Sequence, residues 1–261
     1  MKNLEKFDPI EEQENREKNA EKLEKVLEEI SKDIENKEVP VNKECRIDMQ
    51  VFGEIYDLKK DEEEINRLEI EYAKKAGLPL EKWKENKNKT DGEQLEMLKT
   101  IIFHKNLSSD FVVTRSSRFD DIKNNVDNVI INKKTGSVIC AFDEGTPRKG
   151  DEYEEKQKAI LERDKKGGVD LKYGVKFEGD IKKPTLGRLN KLPIFHLALH
   201  PSEVQKGIEA LGNEDIEKAL FKVFITEIDS QIKKIESEST EIHPHLQKQW
   251  SDFREFIKDE L

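Results

Sequence analysis

The sequence predicts an α/β protein: a mixed sheet flanked by helices, with helical extensions at both ends. Three patterns carry this. "VDNVIINKKTGSVICAFDEG" (126–145) reads as two apolar strands around a turn. "LPIFHLALH" (192–200) is a continuous apolar run of the kind a strand buried on both faces needs. Between and around them, apolar residues recur at helical spacing. A local hairpin combined with crossover helices implies a mixed sheet.

The chain has 261 residues, of which 40% are charged and 34% hydrophobic, with a net charge of -10. Such a composition predicts a modest core and solvated helices. Phosphate repels an acidic protein, so any nucleic-acid contact must rest on a local basic patch. The two cysteines, Cys45 and Cys140, lie far apart and suggest neither a zinc site nor a disulfide framework. The first residues, "MKNLEKFDPIEEQENREK", lack the apolar segment of a signal peptide, and no stretch is long and apolar enough to cross a bilayer. The expectation is a cytoplasmic setting without a membrane partner.

Residues 1–89 read as a helical extension. Leu23, Val26, Leu27 and Ile30 form a narrow stripe within 11–37, which predicts a long exposed helix or one strand of a coiled coil. Residues 46–76 read as a further helical region closed by Gly77 and Pro79, and 84–92 as a polar loop. The core spans 90–211. Thr90 and Glu93 stand at capping-box spacing before a helix through Phe103. "DFVVTRS" is a strand, followed by the hairpin. Residues 151–166 form a helix closed by Gly167-Gly168, 169–177 alternate like a strand, and Pro201 opens a helix through Leu211. Residues 212–261 supply C-terminal helices. The terminal helices are the expected contact for a second copy or a protein partner.

The hairpin raises an electrostatic question. Asp127 opens one strand, while Asp143 and Glu144 close the other. Folded about Gly136, the turn sets Asp127 opposite Phe142 or Asp143, and a one-residue slip exchanges faces. Asp127 therefore shares a face with Asp143 or Glu144, about 5–8 Å away. Like charges at that spacing are relieved by solvent, by protonation or by a cation. Carboxylate oxygens so placed are a common way to hold Mg²⁺.

This arrangement resembles the PD-(D/E)XK, or restriction-endonuclease-like, superfamily over roughly residues 90–211. "NNVDNVII" supplies Asp127 at the first-acid position, "VICAFDEG" supplies Asp143 and Glu144 at the second, and Glu96 or Glu93 stands where the family's helix acid does. The chain also resembles uncharacterised bacterial proteins with a VD…CAFDE motif. The resemblance implies a restriction-endonuclease-like core and a phosphodiesterase that cleaves DNA or RNA with Mg²⁺ or Mn²⁺ bound by Asp127 and Asp143 or Glu144. The sequence departs from the pattern at the family's lysine: Gly145 and Thr146 occupy the expected steps. Lys149, Lys156 and Lys172 are the candidates to replace it, with Lys172 taken as the catalytic one. Without such a lysine the fold becomes a catalytically inactive scaffold that works through its charged helices.

Several residues read two ways. Arg115 and Arg118 could grip a phosphate or pair with Asp120 and Asp121. His196 reads as a core histidine, His200 as a residue facing a cleft, and His243 and His245 as surface. Residues 163–191 carry nine Lys or Arg against four Asp or Glu, a local excess of five positive charges. The nucleic-acid contacts expected are Arg115, Lys149, Lys182, Lys183 and Arg188.

Overall fold

Helical periodicity near the N-terminus becomes packing at once. The computed structural model describes residues 9–107, 109–144, 151–178, 183–238 and 242–258. Helix α1 spans Pro9–Asn36, and its stripe of Leu23, Leu27, Ile30 and Ile34 is buried rather than solvated. It packs against α4 (Asp91–Asn106) and α7 (Pro201–Glu209). The expectation of an exposed helix is therefore corrected: a narrow apolar stripe suffices when the partner helix, α4, is buried nearly all round.

The expected helical region at 46–76 is divided. Met49–Phe52 form a 3-10 turn, and α2 runs Leu58–Lys75. The Asp57 side chain accepts from Lys60 N at 3.2 Å and starts α2 there. The expected loop at 84–92 is shared between the end of helix α3 (Leu80–Lys87), a short turn at 88–90 and the start of α4.

In the core, β1 (Phe111–Arg115), β2 (Asn128–Asn132) and β3 (Val138–Glu144) form an antiparallel meander. A short helix, α5 (Arg118–Asn124), interrupts the β1–β2 link. Ser117 Oγ caps it, and Asn125 ends it in the left-handed region at φ 52°. Helix α6 (Asp151–Lys165) leads to β4 (Val169–Glu178) and β5 (Lys183–Leu192), which pair as a separate two-stranded ribbon. The polar run 183–192 concealed β5, because one side of the ribbon faces solvent. Gly168 joins α6 to the ribbon at φ 93°, where a Cβ would meet Leu192 O at 2.1 Å.

Strand β6 is only Ile194–Leu197, and it pairs parallel to β3. The sheet order is β1-β2-β3-β6, so β6 lies at the edge rather than the centre. It reads as central because helices bury it. Its outer backbone is met by Gln231 of α8 (Glu214–Glu238), whose Nε2 donates to His196 O at 2.8 Å and whose Oε1 accepts from His196 N at 3.0 Å. Helix α9 (Pro244–Ile257) closes the chain, burying Leu246, Trp250, Phe253 and Ile257. One continuous apolar core draws on 1–89, 90–211 and 212–261 alike. No helix among the described residues is long and apolar enough to cross a membrane.

Asp164 marks the α6–β6 junction. Its Oδ1 accepts from Ile194 N at 3.0 Å, while its buried Oδ2 meets no hydrogen-bond partner among the described residues. Burial pushes this carboxyl up to about 8, against the smaller opposing effect of the Ile194 N–H. A folded-state value raised above the unfolded one favours the fold below pH 4 and loses that advantage as pH rises through 8. Asp164→Asn should abolish this dependence and raise neutral-pH stability. Urea unfolding at pH 5 and pH 8 should show the wild type losing about 1.4 kcal/mol per pH unit relative to the variant. Parallel pH profiles would contradict the assignment.

Candidate functional site

The open end of the β2–β3 hairpin is set by register. Asn128 pairs with Phe142, and a bulge falls between Ile130 and Ile131. One step beyond the Asn128–Phe142 pair, position 127 faces position 143. Asp127 is half-buried, and its carbonyl accepts from Ser116 N at 2.7 Å. In the parallel direction Asp143 pairs with His196 and Glu144 with Leu197. The side chains of Asp143 and Glu144 lie outside the described residues, as do all of Lys149 and Lys182. Among the described residues no group of three or more His, Cys, Asp or Glu is placed to hold a metal ion.

Alternation assigns faces. Arg115, Asn128 and Phe142 are aligned across β1, β2 and β3 and share the face covered by α4. Asn128 Nδ2 donates to Thr100 Oγ1 at 2.7 Å, and Thr100 Oγ1 donates to Glu96 O at 2.9 Å. Position 144 falls on this α4 face, and positions 127 and 143 fall on the other. The residue beside Thr100 is Lys99, whose side chain is fully buried. A buried ammonium is rare and requires an anionic partner. Sequence reading passed over Lys99 because it sits on a helix otherwise read for its apolar periodicity.

The expected helix acid has another partner. Arg115 is fully buried, and its Nε lies 2.6 Å from Glu96 Oε1 while its Nη2 bonds Glu93. Arg46 joins them, 3.0 Å from Glu96 and 3.1 Å from both Glu93 and Asp121. Arg115 is thus corrected from a phosphate contact to a core ion pair: nothing outside the protein reaches it. Glu96 is likewise neutralised by two guanidinium groups. Burial pushes the Glu93 carboxyl up, but Arg115, Lys87 and Arg46 outweigh it and hold the group well below the usual carboxylate range. The capping box at Thr90 is half formed. Thr90 Oγ1 accepts from Glu93 N at 3.3 Å, while the Glu93 carboxylate turns to the arginines. Arg118 pairs with Asp121 at 2.7 Å, as expected, and also with Glu69.

Lys172 is also engaged. Its ammonium pairs with Asp61 of α2 and lies 5.0–5.7 Å from the rings of Phe119, Tyr56 and Tyr173. Its backbone N–H and that of Tyr173 donate to Asp120 at 2.8 and 3.0 Å. Lys172 therefore ties β4 to α2 and α5. Lys183 is exposed at the start of β5, and Arg188 pairs with Asp170 at 2.8 Å. His196 is buried, as expected. His200 caps α7, accepting from Ser202 N. His243 caps α9 in the same way.

Comparison with family models, with curated proteins and with solved structures gives no match, so the site is read from its own geometry.

The buried arginine cluster makes a stability prediction. Arg115→Met leaves Glu93 and Glu96 short of one counter-charge in a dry environment. Chemical denaturation should show a loss of about 3–5 kcal/mol, partly recovered in the Arg115→Met/Glu96→Gln double variant. A loss below about 1 kcal/mol would mean the cluster is solvated.

Proposed function

We propose that the chain is a metal-dependent phosphodiesterase acting on DNA or RNA, built on a restriction-endonuclease-like core. The observation that carries this is the β2–β3 register, which brings position 127 opposite position 143. The element order supports it: helix α4, an antiparallel meander β1-β2-β3, crossover helix α6, and β6 parallel to β3. The resemblance implies this order without α5, which stands between β1 and β2, and without the β4–β5 ribbon, which stands between α6 and β6.

Mg²⁺ or Mn²⁺ would be held by Asp127 with Asp143, which share a face; Glu144, the other acid the sequence offered, falls on the opposite one. The donors fit a hard cation because they are carboxylate oxygens. When bound, the metal supplies an activated water and offsets charge on phosphorus. Lys172 is committed to Asp61, and Lys99 belongs to α4, which covers the face opposite positions 127 and 143, so neither supplies the lysine that the resemblance implies.

A second reading, a catalytically inactive scaffold, is favoured by one observation: Glu96 and Lys172, both candidate catalytic residues, are committed to structural ion pairs.

Calorimetric titration with Mn²⁺ should show binding in the wild type and none in Asp127→Ala. Metal-dependent cleavage of labelled DNA or RNA should fall at least about 100-fold in Asp127→Ala, the scale of losing a main transition-state contact. Binding without cleavage supports the scaffold reading. Absence of Mn²⁺ binding in the wild type contradicts both the metal site and the nuclease.

A further inference from the structure

The row of residues that contains positions 127 and 143 does not end at β3. Asp143 pairs with His196 across the parallel β3–β6 ladder. Residues paired directly on neighbouring strands project to the same side of a sheet. Positions 127, 143 and 196 therefore stand side by side on β2, β3 and β6, on the face opposite α4. The preceding row runs the other way: Arg115, Asn128, Phe142 and Phe195 are aligned, and Arg115 and Asn128 meet α4 through Glu96 and Thr100.

Two features of this row bear on what His196 does. The first is burial, which grades along it. Asp127 is half-buried, and His196 is 1% exposed. An ion would enter from the β2 side, and the imidazole would form the inner wall. Adjacent strands lie about 4.8 Å apart, so the three Cα atoms span about 10 Å with position 143 in the middle. An imidazole reaches further from its backbone than a carboxylate does, so a ligand on β6 can share an ion with one on β2 across the intervening strand. The second feature is the way β6 is held. Asp164 of α6 accepts from Ile194 N at 3.0 Å. Gln231 of α8, itself buried, accepts from His196 N at 3.0 Å and donates to His196 O at 2.8 Å. One amide thus commits an acceptor and a donor to a single residue, which fixes the point from which the ring projects. Metal ligands need such support from rigid elements.

We propose that His196 is a third protein ligand of the ion held by Asp127 and Asp143, with Gln231 as its positioning residue. The inference rests on the metal reading above and goes beyond it in one respect: the site becomes mixed, with two carboxylates and one imidazole. Mg²⁺ takes oxygen ligands and keeps several waters, whereas imidazole suits first-row transition ions. The site therefore selects Mn²⁺ over Mg²⁺. A histidine that only filled the core would not discriminate between the two ions.

Pulsed EPR of the Mn²⁺-loaded full chain reads the ligand without reference to cleavage. Echo modulation from a directly bound nitrogen is expected in the wild type, and it should change when the histidines are ¹⁵N-labelled. The chain has five histidines, so variants assign the signal. It should vanish in His196→Gln and persist in His200→Gln, which alters only the cap of α7. In calorimetric titration His196→Gln should weaken Mn²⁺ at least about tenfold, the lower end of the cost of disturbing even an outer partner of a metal ligand. Mg²⁺ should weaken less than about twofold, because its ligands are oxygens. Gln231→Leu should lower the ratio of Mn²⁺ to Mg²⁺ affinity, and an unchanged ratio would reduce Gln231 to packing. Mn²⁺ binding without a nitrogen signal in the wild type overturns the proposal and leaves the carboxylate site standing, and this spectrum decides the matter even where His196→Gln fails to fold. A signal that persists in His196→Gln, or equal weakening of both ions there, overturns it too. Absence of Mn²⁺ binding removes the carboxylate site as well.

Discussion

The fold depends on a buried cluster of charges. Arg46 and Arg115 share Glu93 and Glu96, and all four side chains are at most 7% exposed. The two positive and two negative charges balance, so the cluster tolerates burial, although removing one member leaves an uncompensated charge. Its value lies in what it joins. Glu93 and Glu96 belong to α4, Arg115 to β1, and Arg46 to the segment after α1. Backbone bonds follow the same line: Ile47 N donates to Arg115 O at 3.1 Å and Arg115 N to Cys45 O at 2.8 Å. The N-terminal segment thereby meets the outer edge of β1 at its last residue, and the Gln231 amide meets that of β6 at His196.

At the end where β2 begins and β3 finishes, Asp127 faces position 143. At the turn end, Arg188 and Lys248 line a groove, paired with Asp170 and Asp252. The C-terminal helices are part of the fold rather than appendages, because α8 and α9 bury their apolar faces in the same core as the sheet.

Local features were legible in the sequence where short-range physics decides. The hairpin turn, the Gly167-Gly168 stop, the Thr90 cap and the strand of 111–115 all lie where residue chemistry places them. Features settled by tertiary context were not. The α1 stripe reads as solvated because nothing local reports that α4 will cover it. Helix α5 is short, and β5 is polar, so neither produces a clear period. Arg115 reads as a phosphate ligand because its partners Glu93 and Glu96 lie 22 and 19 residues away. Lys99 was missed for the converse reason: a lysine on a helix is usually solvated, and only packing shows this one to be enclosed.

The proposed metal site is tested most directly by anomalous diffraction from a crystal of the full chain soaked in Mn²⁺. The account predicts a peak at the open end of the β2–β3 hairpin, with Asp127 and Asp143 among its ligands. A map with no peak there, and the Asp127 side chain directed to solvent away from β3, would contradict it.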